Sequence, residues 1–277
     1  MTTLAEYAAT RELLGNLTQR ELRGKYKRSA LGWAWSLINP LALALMFTFV
    51  FGVVFDSRLE AQGNSDLSGI AAFPLFLLCG LLPWAFFANG VNGSIGALVA
   101  NSNLVKKVYF PREILIVSSV MALIVALLIE LSVLGIALLV VGNVWLQFLP
   151  LILLIIALQS VFVIGVGLLL SILNVYFRDV QHFVGIFLQL WFYATPVIYP
   201  ITLLNNIADR EFLGVSLLTL YKLNPMTAFV EMYHQMLFYL QWPDWKLLVW
   251  ATFCSFAMLA LGLFVFKKLE PRLAEEL

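Results

Sequence analysis

The first residue of this sequence that could do chemistry is a carboxylate in the middle of an apolar run, Glu130 in LLIELSV. Ionised in hydrocarbon, such a group costs several kcal/mol unless it faces protein or water, or takes up a proton. It therefore serves either a structural hydrogen bond or a path across a membrane, and no other charged side chain is expected at that depth. A second candidate set is basic: Arg20, Arg23, Lys25, Lys27 and Arg28 could gather phosphate groups at a membrane surface, ordinary anionic lipid included. Gly24-Lys25 lacks the upstream glycine and the following hydroxyl of a phosphate-cradling loop, so ATP is not held in that way. His182 and His234 read as hydrogen-bonding residues near the ends of apolar runs. Cys79 and Cys254 sit inside such runs, as small buried hydrophobes rather than a disulfide or metal site. Arg178-Asp179 is explained by an ion pair or a helix cap. No paired carboxylates share one rigid element, which argues against a membrane-embedded transferase.

These residues are set in a chain of 277, of which 62% are hydrophobic and only 12% charged. Its mean hydropathy of +0.92 lies outside the soluble range, where about 25% of residues are charged. The sequence is a polytopic all-α membrane protein with no room for a sizeable soluble domain. We read 1–277 as one membrane domain: a cytoplasmic arm over 1–30, a six-span region over 31–268 and a cytoplasmic tail over 269–277. The arm lacks the apolar core of a cleavable signal, so the first span is expected to be retained. Six of the 17 Lys and Arg precede position 30, and with both termini inside, 13 of the 17 fall on the cytoplasmic side, as the positive-inside rule requires. Nucleic-acid binding is not suggested.

Six apolar runs follow in order. The first, 31–55, contains Pro40. The second, 70–100, contains Pro74 and Pro83 and reads as a broken or strongly bent span, with Gly93 and Ala97 at a spacing that admits another helix. Spans over 114–141 and 148–173 follow, then a marginal one over 183–199. Between it and the last, 247–266, lies a long outer stretch that reads as two short helices dipping partway into the membrane. On the arm, Leu13, Leu14 and Leu17 share one face and could dip into the acyl boundary. Between the second and third spans, SNLVKKVYFPRE spells a short amphipathic cytoplasmic helix that either caps two spans or plugs into a soluble partner. The chain holds no intramembrane relay of charges through which an ion-coupled carrier would take its energy. It looks like one part of a machine powered by another chain.

Five stretches, RELRGKYKRSALGWAWSLINPL, LVKKVYFPREILI, NVYFRDVQHF, WFYATPVIYP and LNPMTAFVE, taken in this order along a six-span chain, resemble the ABC-2 type permeases of polysaccharide exporters. Those permeases serve O-antigen, capsule, teichoic acid and galactan export. The resemblance implies a homodimer around a wide channel in the bacterial cytoplasmic membrane. Two separate ATPase subunits would dock on the cytoplasmic side and bind the ATP and Mg, while this chain holds no cofactor or metal. It further implies an interfacial helix over Leu13 to Lys25, a coupling helix over Leu104, Val105, Lys106, Lys107, Val108, Tyr109 and Phe110 that enters a groove in the ATPase, and outer gate helices over Ile201 to Leu240. The substrate is expected to be a glycan on a polyprenyl phosphate or pyrophosphate carrier, whose phosphate the basic arm could gather. Aromatic rings stack on sugar faces, so Trp84, Phe86, Phe87, Trp191, Phe192, Tyr193 and Tyr199 are candidates for the path, with interfacial anchoring as their plainer role. Other cargoes of the same fold, namely drugs, haem or peptides, form the alternative, as does, from another class, a membrane glycosyltransferase or ion-coupled flippase.

The missing phosphate loop generates a test: the purified chain alone is expected to release no phosphate from ATP above a protein-free control. Hydrolysis by the isolated chain would remove the case for a separate motor.

Overall fold

A computed structural model of the chain describes residues 4–25, 34–47, 49–50, 72–107, 110–203, 211–212 and 215–276. They form α1 (Leu4–Lys25), α2 (Ala34–Phe47), α3 (Phe73–Ala100), α4 (Ser102–Lys107), α5 (Glu113–Val140), α6 (Leu149–Tyr176), α7 (Val180–Tyr193), α8 (Leu217–Leu223), α9 (Pro225–Tyr233), α10 (Trp245–Leu269) and α11 (Leu273–Glu276). A π-helical turn, His234–Phe238, continues α9. A two-residue antiparallel pairing of 211–212 with 215–216 precedes α8.

Four of these helices are long and apolar enough to cross a membrane: Phe73–Ala100, Glu113–Val140, Leu146–Tyr176 and Trp245–Arg272. The expected first and fifth spans correspond to α2 and α7, of 14 described residues each. At 1.5 Å per residue each measures about 21 Å, short of a hydrocarbon core about 30 Å thick.

The long helices divide into an inner and an outer pair. Within their apolar windows α3 is 72% and α6 67% buried, against 28% for α5 and 17% for α10. Small residues explain the inner contact. A Cβ on Gly90 would strike Val163, and one on Gly167 would strike Ser94, so the backbones of α3 and α6 approach where side chains are missing. Two amides of α6 add hydrogen bonds across the seam: Gln159 donates to the Pro83 carbonyl (2.9 Å) and Asn174 to the Ile95 carbonyl (3.2 Å). The close-approach face is therefore Gly90/Ser94, whereas the expected partner Gly93 lies on the other side, against Ser119.

The second apolar run is also one uninterrupted helix, not a broken one. Pro74 occupies the first turn, where its missing N–H is not needed, and Pro83 sits inside the helix against α6. On the opposite side of α6, Gly165 and Gly262 meet backbone to backbone and seat α10.

At the end of the bundle that holds α1, α4 and α11 a second core forms from Leu17 of α1, Leu98 of α3, Val105 of α4, Phe110, Ile114 to Ile116 of α5, Ile172 of α6, Phe266 of α10 and Leu273 of α11, with Leu13 and Leu14 packed against it. The leucines of the arm thus bury against protein rather than lipid. Arg112 braces this end by donating to the Glu270 carbonyl (2.8 Å), with the Glu270 carboxylate 3.9 Å away. Asp179 stands at the N-cap position of α7, but its side chain makes no capping bond.

The contact of Gly165 with Gly262 is tested by Gly262→Ala, which forces a methyl into backbone and is expected to cost about 1–3 kcal/mol. Thermal unfolding in detergent reads it; an unchanged midpoint contradicts the contact.

Candidate functional site

Groups of polar side chains on membrane helices need an aqueous or protein face, and α3 presents one opposite its α6 seam. Asn89, Asn92 and Gly93, spaced three and four apart, are exposed on a helix whose other faces are buried. They open onto a groove of about 1220 Å³ between α2, α3, α5 and α7. Ser119 and Glu130 line it from α5, Gln189 from α7, and Glu21 from α1 at its mouth. From Gly93 to Leu81 on α3, the groove follows twelve residues of helix, about 18 Å. That is a little under half the length of α3. A largely apolar and aromatic wall that carries three amides, two hydroxyls and two carboxylates can hydrogen-bond a hydroxyl-rich chain and stack on its flat faces.

The structure sorts the sequence candidates. Glu130, Trp84, Phe192 and Tyr193 line the groove, so the mid-span carboxylate and three of the seven aromatic candidates come together. Phe86 and Phe87 are buried in the core and do not reach it. Phe87 instead relays packing inward, with its ring centroid 5.1 Å from that of Trp191 and 5.7 Å from that of Phe162, which in turn lies 6.0 Å from Phe229 of α9. Trp84 joins the same cluster, 5.6 Å from Phe192 and 6.3 Å from Trp191. Tyr199 is held outside the groove, its hydroxyl 3.0 Å from the Tyr193 carbonyl, to which it donates, and 3.1 Å from the Tyr221 hydroxyl.

One side chain ties the outer segment to the groove wall. The Asn224 Oδ1 accepts from the indole N–H of Trp191 (2.9 Å) and from the Met226 N–H (2.9 Å), capping α9. Its Nδ2 donates to the Ala194 carbonyl (3.1 Å) and the Thr195 hydroxyl (3.0 Å), both just past α7. Both donors and both acceptor positions of the amide are used.

Of the basic candidates, Arg20 is exposed and bridges the Glu21 carboxylate (3.1 Å) and the Asn101 carbonyl oxygen (2.7 Å), pinning α1 to the end of α3. Arg23 is exposed. The Lys25 side chain, Lys27 and Arg28 lie outside the described residues. In the α4 region, Lys106 and Lys107 are exposed, Leu104 is half-buried, and Val105 and Phe110 turn inward into the core at the α1/α4 end. Val108 and Tyr109 lie outside the described residues.

Two features escaped sequence reasoning. The amides Asn89, Asn92 and Gln189 were hidden in stretches read for small-residue packing and for aromatics, although their spacing with Gly93 and with Tyr193 already marked one helix face each. The second is Glu231 of α9, only 6% exposed, which accepts from Gln235 (3.1 Å). This buried carboxyl was not anticipated, because the outer segment was read as partly polar rather than packed into the bundle. Burial pushes the Glu231 carboxyl up to about 7, against the pull of the Gln235 hydrogen bond. His234, the next turn on, stacks on Phe76 (4.1 Å between centroids) and donates through Nε2 to the Phe76 carbonyl (3.1 Å), a structural hydrogen bond as expected. Among the described residues no group of His, Cys, Asp or Glu could hold a metal ion.

Comparison with known proteins places these features. The ABC-2 type transporter family matches residues 12–238. An O-antigen export system permease protein RfbA of Klebsiella pneumoniae is 31% identical over 268 residues, covering 95% of this chain and 94% of that one. One of the same name from Myxococcus xanthus is 30% identical over 271 residues, 96% of each chain. A polysialic acid transport protein KpsM of Escherichia coli is 28% identical over 193 residues, 66% of this chain and 67% of that one.

The hub at Asn224 is tested by a pair of variants. Asn224→Ala removes the cap and strands the Trp191 N–H, and is expected to cost about 1–3 kcal/mol. Asn224→Asp keeps both acceptor bonds, loses the two donors, and should fall between that variant and the parent in thermal unfolding. Equal midpoints for all three would contradict the role assigned to the amide.

Proposed function

The chain belongs to the ABC-2 type transporter family, and we propose that it is the membrane-spanning permease of an ATP-driven exporter for a lipid-linked polysaccharide. The observation that carries this reading is the groove. It lies among apolar helices, follows about 18 Å of α3, and offers amides and ring faces to whatever occupies it. The relatives named for O-antigen export, matched over nearly their whole length, point to the same cargo class.

In this reading the four long helices and the two shorter ones, α2 and α7, make six spans, with both termini cytoplasmic in the bacterial inner membrane. Two copies of the chain face each other across the groove, and two ATPase subunits, holding ATP and Mg, dock from below. Lys106 and Lys107 are the docking contacts, because Val105 and Phe110 of the same stretch are spent on the cytoplasmic core. Helices α8 and α9 form the outer gate. Asn224 links that gate to α7, so the position of α9 is registered at Trp191 and, through ring contacts, at Trp84 and Phe192 in the groove wall. Arg20 and Arg23 at the mouth are suited to the phosphate of a polyprenyl carrier, the lipid end of the substrate. Glu130 supplies a carboxyl oxygen to the path.

Reconstituting the chain with its ATPase in vesicles should give ATP-dependent delivery of a polyprenyl-linked glycan to the far side. Reversing Lys106→Glu and Lys107→Glu together is expected to lower copurification of the ATPase at least tenfold, with the amount of chain in the membrane unchanged. Undiminished copurification and export would remove α4 from the docking surface.

A further inference from the structure

The charge of the groove wall carries a conclusion about the cargo. None of its described lining residues is basic; the charged ones are Glu21 at the mouth, paired with Arg20 outside the lining (3.1 Å), and Glu130 along α5. The remaining polar lining of the inner stretch is neutral, from Asn89, Asn92, Ser119 and Gln189. Pores that pass anions and phosphates line their walls with Arg and Lys, because a charge leaving water for a low-dielectric passage needs a counter-charge near it. No Lys, Arg or His of the described lining supplies one. A second copy related by two-fold symmetry would contribute the same residues again. Among the described residues it would double this lining without adding a cation.

The amides have the complementary property. Each carries two N–H donors and a carbonyl acceptor, matching a hydroxyl that both donates and accepts. Asn89 and Asn92 are three residues apart on one helix face, about 4.5 Å along the axis, so successive hydroxyls of a sugar chain can be met in turn. Gln189 faces the same space from α7, and Trp84 offers a ring beside it. Such a wall holds hydroxyls without favouring one linkage, as a passage for a long repeating chain must.

We propose that the glycan moved by this permease is electrically neutral along its repeating unit, and that Asn89, Asn92 and Gln189 select it by exchanging hydrogen bonds with its hydroxyls. The inference rests on the polysaccharide-export reading and narrows it: phosphate is confined to the lipid end, which meets the arginines of the arm, and the chain behind it carries no uronate, sialate or phosphodiester.

Deleting the chain from its host and restoring it from a plasmid identifies the cargo by what is lost from and returned to the cell surface. The expected result is a glycan that passes unretained through an anion exchanger after removal of its lipid end. A glycan that is lost and restored but held by the exchanger overturns neutrality while leaving export standing. No change in any surface glycan overturns the export reading, and this inference with it. The amides are then tested directly. Asn89→Ala with Gln189→Ala is expected to lower surface glycan at least fivefold, at equal membrane level and equal ATP hydrolysis by the complex. The swap Asn89→Gln with Gln189→Asn, which keeps both amides, is expected to retain at least half. An alanine pair that exports at the parental level removes these residues from recognition.

Discussion

Two membrane helices cannot come into backbone contact unless the side chains between them are missing, and the seam between α3 and α6 is where this chain meets that constraint. Gly90 against Val163 and Gly167 against Ser94 bring the axes together, and the Gln159 and Asn174 amides complete carbonyls across the gap. Because hydrocarbon offers no gain from burying one apolar surface on another, shape and interhelical hydrogen bonds supply the attraction. The seam fixes the rotation of α3 about its own axis. With its glycine edge committed to α6, its asparagine edge has to point the other way.

The groove is a consequence of that rotation. Asn89 and Asn92 would be costly on a lipid-facing surface; turned from α6 and sheltered by α2, α5 and α7, they become a wall. The electrical character of the wall follows from the same economy. The basic residues of this chain cluster in the arm, the α4 region and the tail, and none of the described ones lines the groove.

Much of this was legible in the residues. The apolar runs locate α3, α5, α6 and α10 to within a few positions because a long hydrophobic stretch has few alternatives in a membrane. Amphipathicity found α4. What was not legible depended on partners distant in sequence. Nothing local shows that Pro83 will be accommodated in a continuous helix, that Phe87 will turn inward while Trp84 edges the groove, or that the leucines of α1 will find α5 instead of lipid. Glu231 was missed for the same reason. Its burial is created by α3 and α10 packing around α9, and no pattern within LNPMTAFVE announces it.

The core at the α1/α4 end has a mechanical meaning. Residues from α1, α3, α4, α5, α6, α10 and α11 interlock there, and Arg112 staples the start of α5 to the end of α10. Packed interiors compress little and pass displacement on. A displacement of α4 therefore cannot be absorbed by that short helix. It reaches both the inner pair of helices and the outer pair in one stroke, so this whole storey of the molecule answers as a single plate at one end of the groove.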